Sequence, residues 1–270
     1  GKVSPVQEKQ LTTLGKNIHA LEVLGTFDDC QQMVKQAFTD TELSAKRFLT
    51  SANSINIARW LPQQFYYFFA YKQWKDKNNP PVISVPSGNF GNICAGILAM
   101  QSGLPVKHFI AACNINDIVS RYLATQELRP KKAVATLSNA MDVGDPSNFI
   151  RVLEIFQHQF PLLKNKLTAY TVSDEETLAT IKAVYEDKNY QLDPHGAVGY
   201  RALHEYLKDH TSESGIFLET AHPVKFPDAV EKSTGRPIDI PCSLQALLNS
   251  EKKSTLIDAD YFQLRDFLMV

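Results

Sequence analysis

The stretch with the most specific chemistry is Ser84-Val85-Pro86-Ser87-Gly88-Asn89-Phe90-Gly91-Asn92, an apolar strand that turns through two glycines directly into the helical pattern of Ile93 to Gln101. Gly88 and Gly91 permit backbone angles that other residues avoid. Backbone N–H groups of Gly88, Asn89, Phe90, Gly91 and Asn92, backed by the positive end of the helix, would hold a phosphate group. No lysine lies in the loop, which matches neither a Walker P-loop nor a dinucleotide fingerprint. Such a phosphate would be gripped by amides and not by a cation. Taken alone, a G-x-x-G of this kind reads first as a tight turn packing a helix on a strand.

Three further segments add weight to the ligand reading. Thr50-Ser51-Ala52-Asn53-Ser54-Ile55-Asn56 places hydroxyl and amide groups ahead of a strongly apolar helix, where capping is the simpler role. Asp193-Pro194-His195-Gly196-Ala197-Val198-Gly199 opens a helix with small residues that allow close approach to its N-terminus, or simply a compact helix start. Leu218-Glu219-Thr220-Ala221-His222-Pro223-Val224-Lys225-Phe226 ends an apolar strand with a hydroxyl, an imidazole and an ammonium. His222, next to Pro223, also reads as the tie of a turn.

Elements able to position these groups follow from periodicity. Short strands are expected at Val82 to Val85, Val106 to Ala112, Ala133 to Leu137, Leu167 to Val172 and Gly215 to Leu218. Helical patterns lie between them: Gly91 to Gln101, Asp117 to Thr125, Asn148 to Gln159, Asp174 to Glu186 behind the capping box Ser173/Glu176, and Ala197 to Leu207. Ile55 to Trp74 reads as one long, mostly buried helix kinked at Pro62. Upstream, Ser4-Pro5-Val6-Gln7 signals a helix start, Ile18 to Leu24 a strand, and Thr26 and Asp29 a second helix start. This helix-strand-helix fragment lacks the strands for a sheet of its own. Beyond Thr234-Gly235-Arg236-Pro237 the chain reads as irregular until a last helix near Ala259 to Leu268. Strands alternating with helices predict an α/β fold, a mostly parallel sheet with helices on both faces and ligands at the carboxyl ends of its strands.

Composition narrows the classes. A 270-residue chain with 44% apolar residues buries roughly three quarters of its unfolded surface, which argues against disorder. Lys plus Arg (28) balance Asp plus Glu (29), so no net field favours nucleic acid or an anionic membrane surface. No apolar run reaches the roughly 18 residues of a membrane span. Cys30, Cys94, Cys113 and Cys242 show no metal-ligand or disulfide spacing, which predicts no metal and suits a reducing cytoplasm; Cys94 and Cys113 lie in apolar runs and should be buried thiols. Gly1-Lys2-Val3-Ser4 shows no initiator or signal pattern and reads as a boundary inside a longer chain.

Several segments together, GKVSPVQEKQ, GTFDDCQQMVKQAF, NSANSINIARWLPQ, VPSGNFGN, LSNAMDVGDPSNF, DPHGAVGY and ETAHPVKF, make the chain resemble the threonine synthases of bacteria and fungi over essentially its whole length. That resemblance implies a pyridoxal-phosphate (PLP) enzyme of fold type II, the group that includes the tryptophan synthase β subunit. It implies a carbon–oxygen lyase reaction, in which O-phospho-L-homoserine and water give L-threonine and phosphate by γ-elimination and β-addition of water. It assigns the cofactor phosphate to Gly88, Asn89, Phe90, Gly91 and Asn92, and the pyridine nitrogen to the Thr220 hydroxyl. Lys2, Ser4, Ser54, Asn56 and Arg59 are substrate-side candidates.

The resemblance also implies what should lie upstream, namely the Schiff-base lysine that serves as proton-transfer base and a substrate-receiving Ser/Gly/Asp/Thr loop. Trp74-Lys75-Asp76 is only superficially similar to the lysine motif. The fold would then be incomplete, with residues 1–50 a remnant of the smaller mobile domain and 51–270 the large cofactor domain. Such a chain is expected to be inactive by itself, to need the missing N-terminal part of the same enzyme, and to self-associate through exposed apolar edges. A non-catalytic phosphate-ligand binding module is the alternative.

Overall fold

Strand and helix patterns alternate as the sequence expects, and in the computed structural model, which describes residues 4–54 and 56–270, six strands pair in parallel among the described residues. They are β1 (Leu21–Leu24), β2 (Val82–Pro86), β3 (His108–Cys113), β4 (Leu167–Thr171), β5 (Gly215–Phe217) and β6 (Thr255–Asp258). A four-stranded sheet has the order β4-β3-β2-β5; a two-stranded one pairs β1 with β6. The four-stranded sheet lies in one compact unit, residues 52–238, and the pair in a second, formed by the chain up to Ser51 with Asp239–Val270.

In the larger unit β2 and β3 are buried at every position, as expected for central strands of a parallel sheet covered on both faces. Alternation sends Ile83 and Val85 into one apolar cluster with Trp60, Tyr67, Ile93 and Phe109, and Val82 into another with Ile110, Val198 and Tyr206. Register aligns Val82 with both His108 and Gly215, so the carboxyl ends of β2, β3 and β5 finish along one edge. Buried Ser84 donates its hydroxyl to Gly199 O at 2.7 Å, fixing the helix Pro194–Asp209 on β2. The helix Gly91–Gln101 is pressed against the helix Trp60–Gln73 at Gly96, where an added Cβ would lie 2.5 Å from the Tyr67 ring. Cys94 and Cys113 are buried thiols, pushed up to about 12 by burial.

Several expectations are corrected. Ala133 to Leu137 is not a strand. Its amides go to side chains: Val134 N donates to Asn116 Oδ1 (2.8 Å), Thr136 N to Asp142 Oδ2 (2.9 Å) and Leu137 N to Asp174 Oδ1 (3.1 Å), so no neighbouring strand is needed. The helix expected over Asn148 to Gln159 ends at Ile155, because Gln157 and His158 turn left-handed (φ 54° and 55°), and Pro161 lies in the first turn of a new helix, Phe160–Lys166. Pro62 makes no kink; it lies in the first turn of Trp60–Gln73, where its missing N–H would have had no partner. That helix is not mostly buried either. Trp60, Gln64 and Tyr67 are buried, whereas Leu61, Phe65, Tyr66 and Phe69 are 57–67% exposed.

The smaller unit departs most from the sequence reading. Residues 51–270 were expected to form one domain, but Asp239–Val270 joins the N-terminal segment, because β6 pairs with β1 in register from Leu21/Thr255 to Leu24/Asp258 and the helix Tyr261–Met269 packs on the helix Phe27–Thr39. Segment 1–50 therefore has a sheet partner after all, and the stretch read as irregular holds the helix Cys242–Leu248 and β6. Local caps stand as read: Ser4 with Gln7, Thr26 with Asp29 and Ser173 with Glu176 each form a reciprocal capping box. Among the described residues no helix is long and apolar enough to cross a membrane.

Candidate functional site

β2 delivers the chain to the Gly88–Asn92 loop through Ser87, whose N–H donates to Ala112 O (2.8 Å) and whose hydroxyl donates to Val85 O (2.8 Å). The glycines do not serve as the sequence suggested. It is Phe90 that turns left-handed, with φ 64°, held by burial of its ring edge-on to Phe149 at 5.4 Å. Gly88 and Gly91 are needed instead for close approach. A Cβ on Gly88 would lie 2.5 Å from Met141 Cα, and one on Gly91 2.5 Å from Ser54 Cβ and 2.8 Å from Ser54 Oγ.

Among the described residues, the amides of Gly88, Asn89, Phe90, Gly91 and Asn92 donate to no protein acceptor. Asn89 turns its Oδ1 to Ser147, accepting from its N–H (2.8 Å) and hydroxyl (2.9 Å), which leaves the buried Nδ2 without a partner. An unmade hydrogen bond of this kind costs roughly 1–3 kcal/mol, and an anion oxygen would supply the acceptor. The donor set fits a phosphate ester. Phe90 contributes only its amide, since its ring is in the core, and Asn92 is anchored by the Tyr67 hydroxyl, which donates to its O and Oδ1 (2.8 and 2.9 Å).

Thr220 follows β5, the strand that adjoins β2, where Leu218 N donates to Ser84 O at 3.0 Å. It is exposed and lines a cavity of about 610 Å³ with Tyr190, Gln191, Glu219, His222 and Lys225; the Gly88–Asn92 loop is not part of that wall. His222 Nδ1 accepts from Val224 N (3.2 Å) and so does tie a turn.

The substrate-side candidates separate. Ser54 is brought to the loop, its Oγ accepting from Asn148 Nδ2 (3.0 Å) and its carbonyl from Trp60 Nε1 (3.2 Å). Asn56 caps the short turn Ile57–Arg59 through Ala58 N (3.1 Å), and Arg59 is exposed. Ser4 caps a helix in the other unit, and Lys2 lies outside the described residues.

Sequence reasoning missed a buried polar array at the start of Pro194–Asp209. Asp193, fully buried, accepts from His195 N (2.8 Å), His195 Nδ1 (2.6 Å) and Gly196 N (3.3 Å). Glu219 is exposed as a residue, but its carboxyl is turned in against Gly196 beside Asp193 and is pushed up to about 9, by desolvation first and then by the hydrogen bond and charge of Asp193. Burial alone would raise Asp193, but the His195 and Glu219 hydrogen bonds outweigh it and hold it below its ordinary range. Small residues in DPHGAVGY were the available signal: at Gly196 a Cβ would lie 2.3 Å from Glu219 Oε1.

A family model described as pyridoxal-phosphate dependent enzyme matches residues 1–218, and one described as threonine synthase, C-terminal, matches residues 196–268. Threonine synthase of Serratia marcescens is 48% identical over 270 residues and that of Escherichia coli 46%; each alignment covers all of this chain and 62% of the relative. The crystal structure of Escherichia coli threonine synthase superposes with a TM-score of 0.94 at 47% identity, covering 100% of this chain and 62% of that one. PLP-bound threonine synthase from Brucella melitensis gives 0.87 at 35% identity, covering 100% and 63%. The chain thus spans about 62% of the length of these curated relatives.

Proposed function

This chain belongs to the pyridoxal-phosphate dependent enzyme family, and we propose that it is the cofactor-holding portion of a threonine synthase acting on O-phospho-L-homoserine in the cytoplasm. The observation that carries this reading is the buried, partnerless Nδ2 of Asn89 beside amides that no protein group engages. The Gly88–Asn92 amides and Asn89 Nδ2 would hold the cofactor phosphate, and the Thr220 hydroxyl would meet the ring nitrogen. When bound, PLP supplies the electron sink for the proton losses that precede departure of the substrate phosphate. A neutral hydroxyl at Thr220 does not force the ring nitrogen to stay protonated, in contrast to a carboxylate. Ser54, seated against Gly91, is the substrate-side candidate that this geometry supports. The Schiff-base lysine belongs to the further length that the relatives carry.

That further length is also the occupant we assign to the exposed face of Trp60–Gln73. Leu61, Phe65, Tyr66 and Phe69 form an apolar stripe of the kind a fold buries against itself. Without that cover, the 270-residue chain is expected to sediment as oligomers at micromolar concentration. The Phe65→Glu/Phe69→Glu pair should return it to monomer, and an unchanged oligomer distribution would move the contact elsewhere.

Function is tested by mixing the chain with a separately produced segment containing the relatives' upstream portion, then assaying phosphate release from O-phospho-L-homoserine with PLP present. The chain alone should release none and the mixture should release phosphate. Cofactor binding by a mixture in which the two parts associate but do not turn over would instead mark a phosphate-ligand binding module.

A further inference from the structure

A hydrogen-bonded series connects the wall of the Gly88–Asn92 loop to the residue before Thr220. At one end, the Ala140–Met141 backbone packs on Gly88, where no Cβ fits, and Ala140 N donates to His195 Nε2 at 3.2 Å. A backbone N–H can only donate, so Nε2 carries the lone pair and the ring proton lies on Nδ1. Nδ1–H then donates to Asp193 Oδ1 at 2.6 Å. The imidazole is held further by Phe226, 4.9 Å away between ring centroids. Asp193 in turn bonds the Glu219 carboxyl, which is admitted by the missing side chain of Gly196. Two ionised carboxylates are acceptors only, so a hydrogen bond between them requires one shared proton. Glu219 is followed directly by Thr220.

We propose that Glu219, Asp193 and His195 form a strut that sets Thr220 at a fixed spacing from the Gly88–Asn92 loop, making Glu219 and His195 positioning residues for the ring end of the cofactor. This inference rests on the reading that the loop holds the cofactor phosphate and Thr220 meets its ring. The strut stands while Glu219 keeps its proton. Loss of that proton places two charges side by side and releases the segment carrying Thr220. The titratable groups facing Glu219 are Asp193 and His195 on the helix, Tyr190 before it, and His222 and Lys225 across the cavity. Tyr190 is itself pushed up, by burial first and then by the charges of Glu219 and Asp193.

The test uses the 270-residue chain with two probes, inorganic phosphate and pyridoxine 5′-phosphate, which has the cofactor's ring and ester but no aldehyde to react with surface lysines. Glu219→Gln keeps a donor to Asp193 that does not titrate. At pH 7 it should bind pyridoxine phosphate as the unaltered chain does. Between pH 8 and 10 the unaltered chain should lose affinity relative to Glu219→Gln by about tenfold, while inorganic phosphate shows no such divergence. The comparison at each pH cancels ionisation of the probe. Glu219→Ala should weaken pyridoxine phosphate, but not inorganic phosphate, at every pH.

A second readout needs no ligand. The folded chain holds the Glu219 proton at pH values where the unfolded chain, titrating near 4.5, has lost it, so stability falls as pH rises from the ordinary carboxyl range towards about 9. Glu219→Gln should remove that fall. If neither probe binds the unaltered chain, the cofactor reading fails and this inference fails with it. If both bind and the affinity ratio of the two chains is independent of pH, only this inference is overturned.

Discussion

Gly91→Val is expected to abolish the stabilisation that pyridoxine phosphate gives the chain. A ligand at a hundred times its Kd adds about 2.7 kcal/mol, roughly 5–10 °C in melting temperature for a domain of this size. In the variant the rise should vanish at the same concentration. The cause is steric and has one direction. A Cβ at position 91 falls 2.5 Å from Ser54 Cβ, and Ser54 is pinned by Asn148 Nδ2 on its hydroxyl and Trp60 Nε1 on its carbonyl. The loop must therefore move, which takes its amides off the roughly 2.9 Å spacing that hydrogen bonds to an ester oxygen require. Pairing the milder Gly91→Ala with Ser54→Gly removes the obstructing atoms and should restore most of the rise, so a general loss of folding is distinguishable from a closed cradle. A ligand-dependent rise of undiminished size in Gly91→Val would remove the loop from the binding site.

What the sequence made legible was local or continuous. Reciprocal caps such as Ser173 with Glu176 sit three residues apart, and β2 and β3 are short, largely apolar runs, so neighbouring residues alone decide them. The Gly88–Asn92 loop was legible in position but not in mechanism, because the glycines answer to Met141 and Ser54, which are remote in sequence, and the unusual dihedral fell on Phe90. β6 was illegible for a different reason. Its partner β1 lies some 234 residues away by register, and its own residues are mostly exposed, with Leu256 at 60%, so it shows no buried-strand pattern. Ala133 to Leu137 carries strand-like residues whose amides were taken by side chains, an outcome that propensity does not encode. Glu219 was passed over beside Thr220 because a charged residue at a strand end reads as solvated; the residue is exposed, and only the contact of its carboxyl with Gly196 and Asp193 singles it out.

The same dependence on remote side chains makes Asp142→Ala the second large effect. The half-buried carboxylate accepts four hydrogen bonds: from Thr136 N (2.9 Å), Thr136 Oγ1 (2.6 Å), Asn114 Nδ2 (2.9 Å) and Asn116 Nδ2 (3.2 Å). Burial raises its pKa, and the hydrogen bonds from Thr136 and Asn114 oppose that rise. The two asparagines have other partners, so truncation chiefly strands the Thr136 donors, at a cost on the order of 2–4 kcal/mol. A urea midpoint should register this loss, whereas Asp145→Ala, at an exposed position in the same segment, should stay within about 0.5 kcal/mol. The functional consequence follows from what Asp142 holds in place. Ala140 and Met141 form the wall behind Gly88, and Ala140 N donates to His195 Nε2, so loosening the segment should lower pyridoxine phosphate affinity by at least tenfold even where the chain remains folded. A stability loss of the expected size with affinity unchanged would show that the loop keeps its shape without that wall.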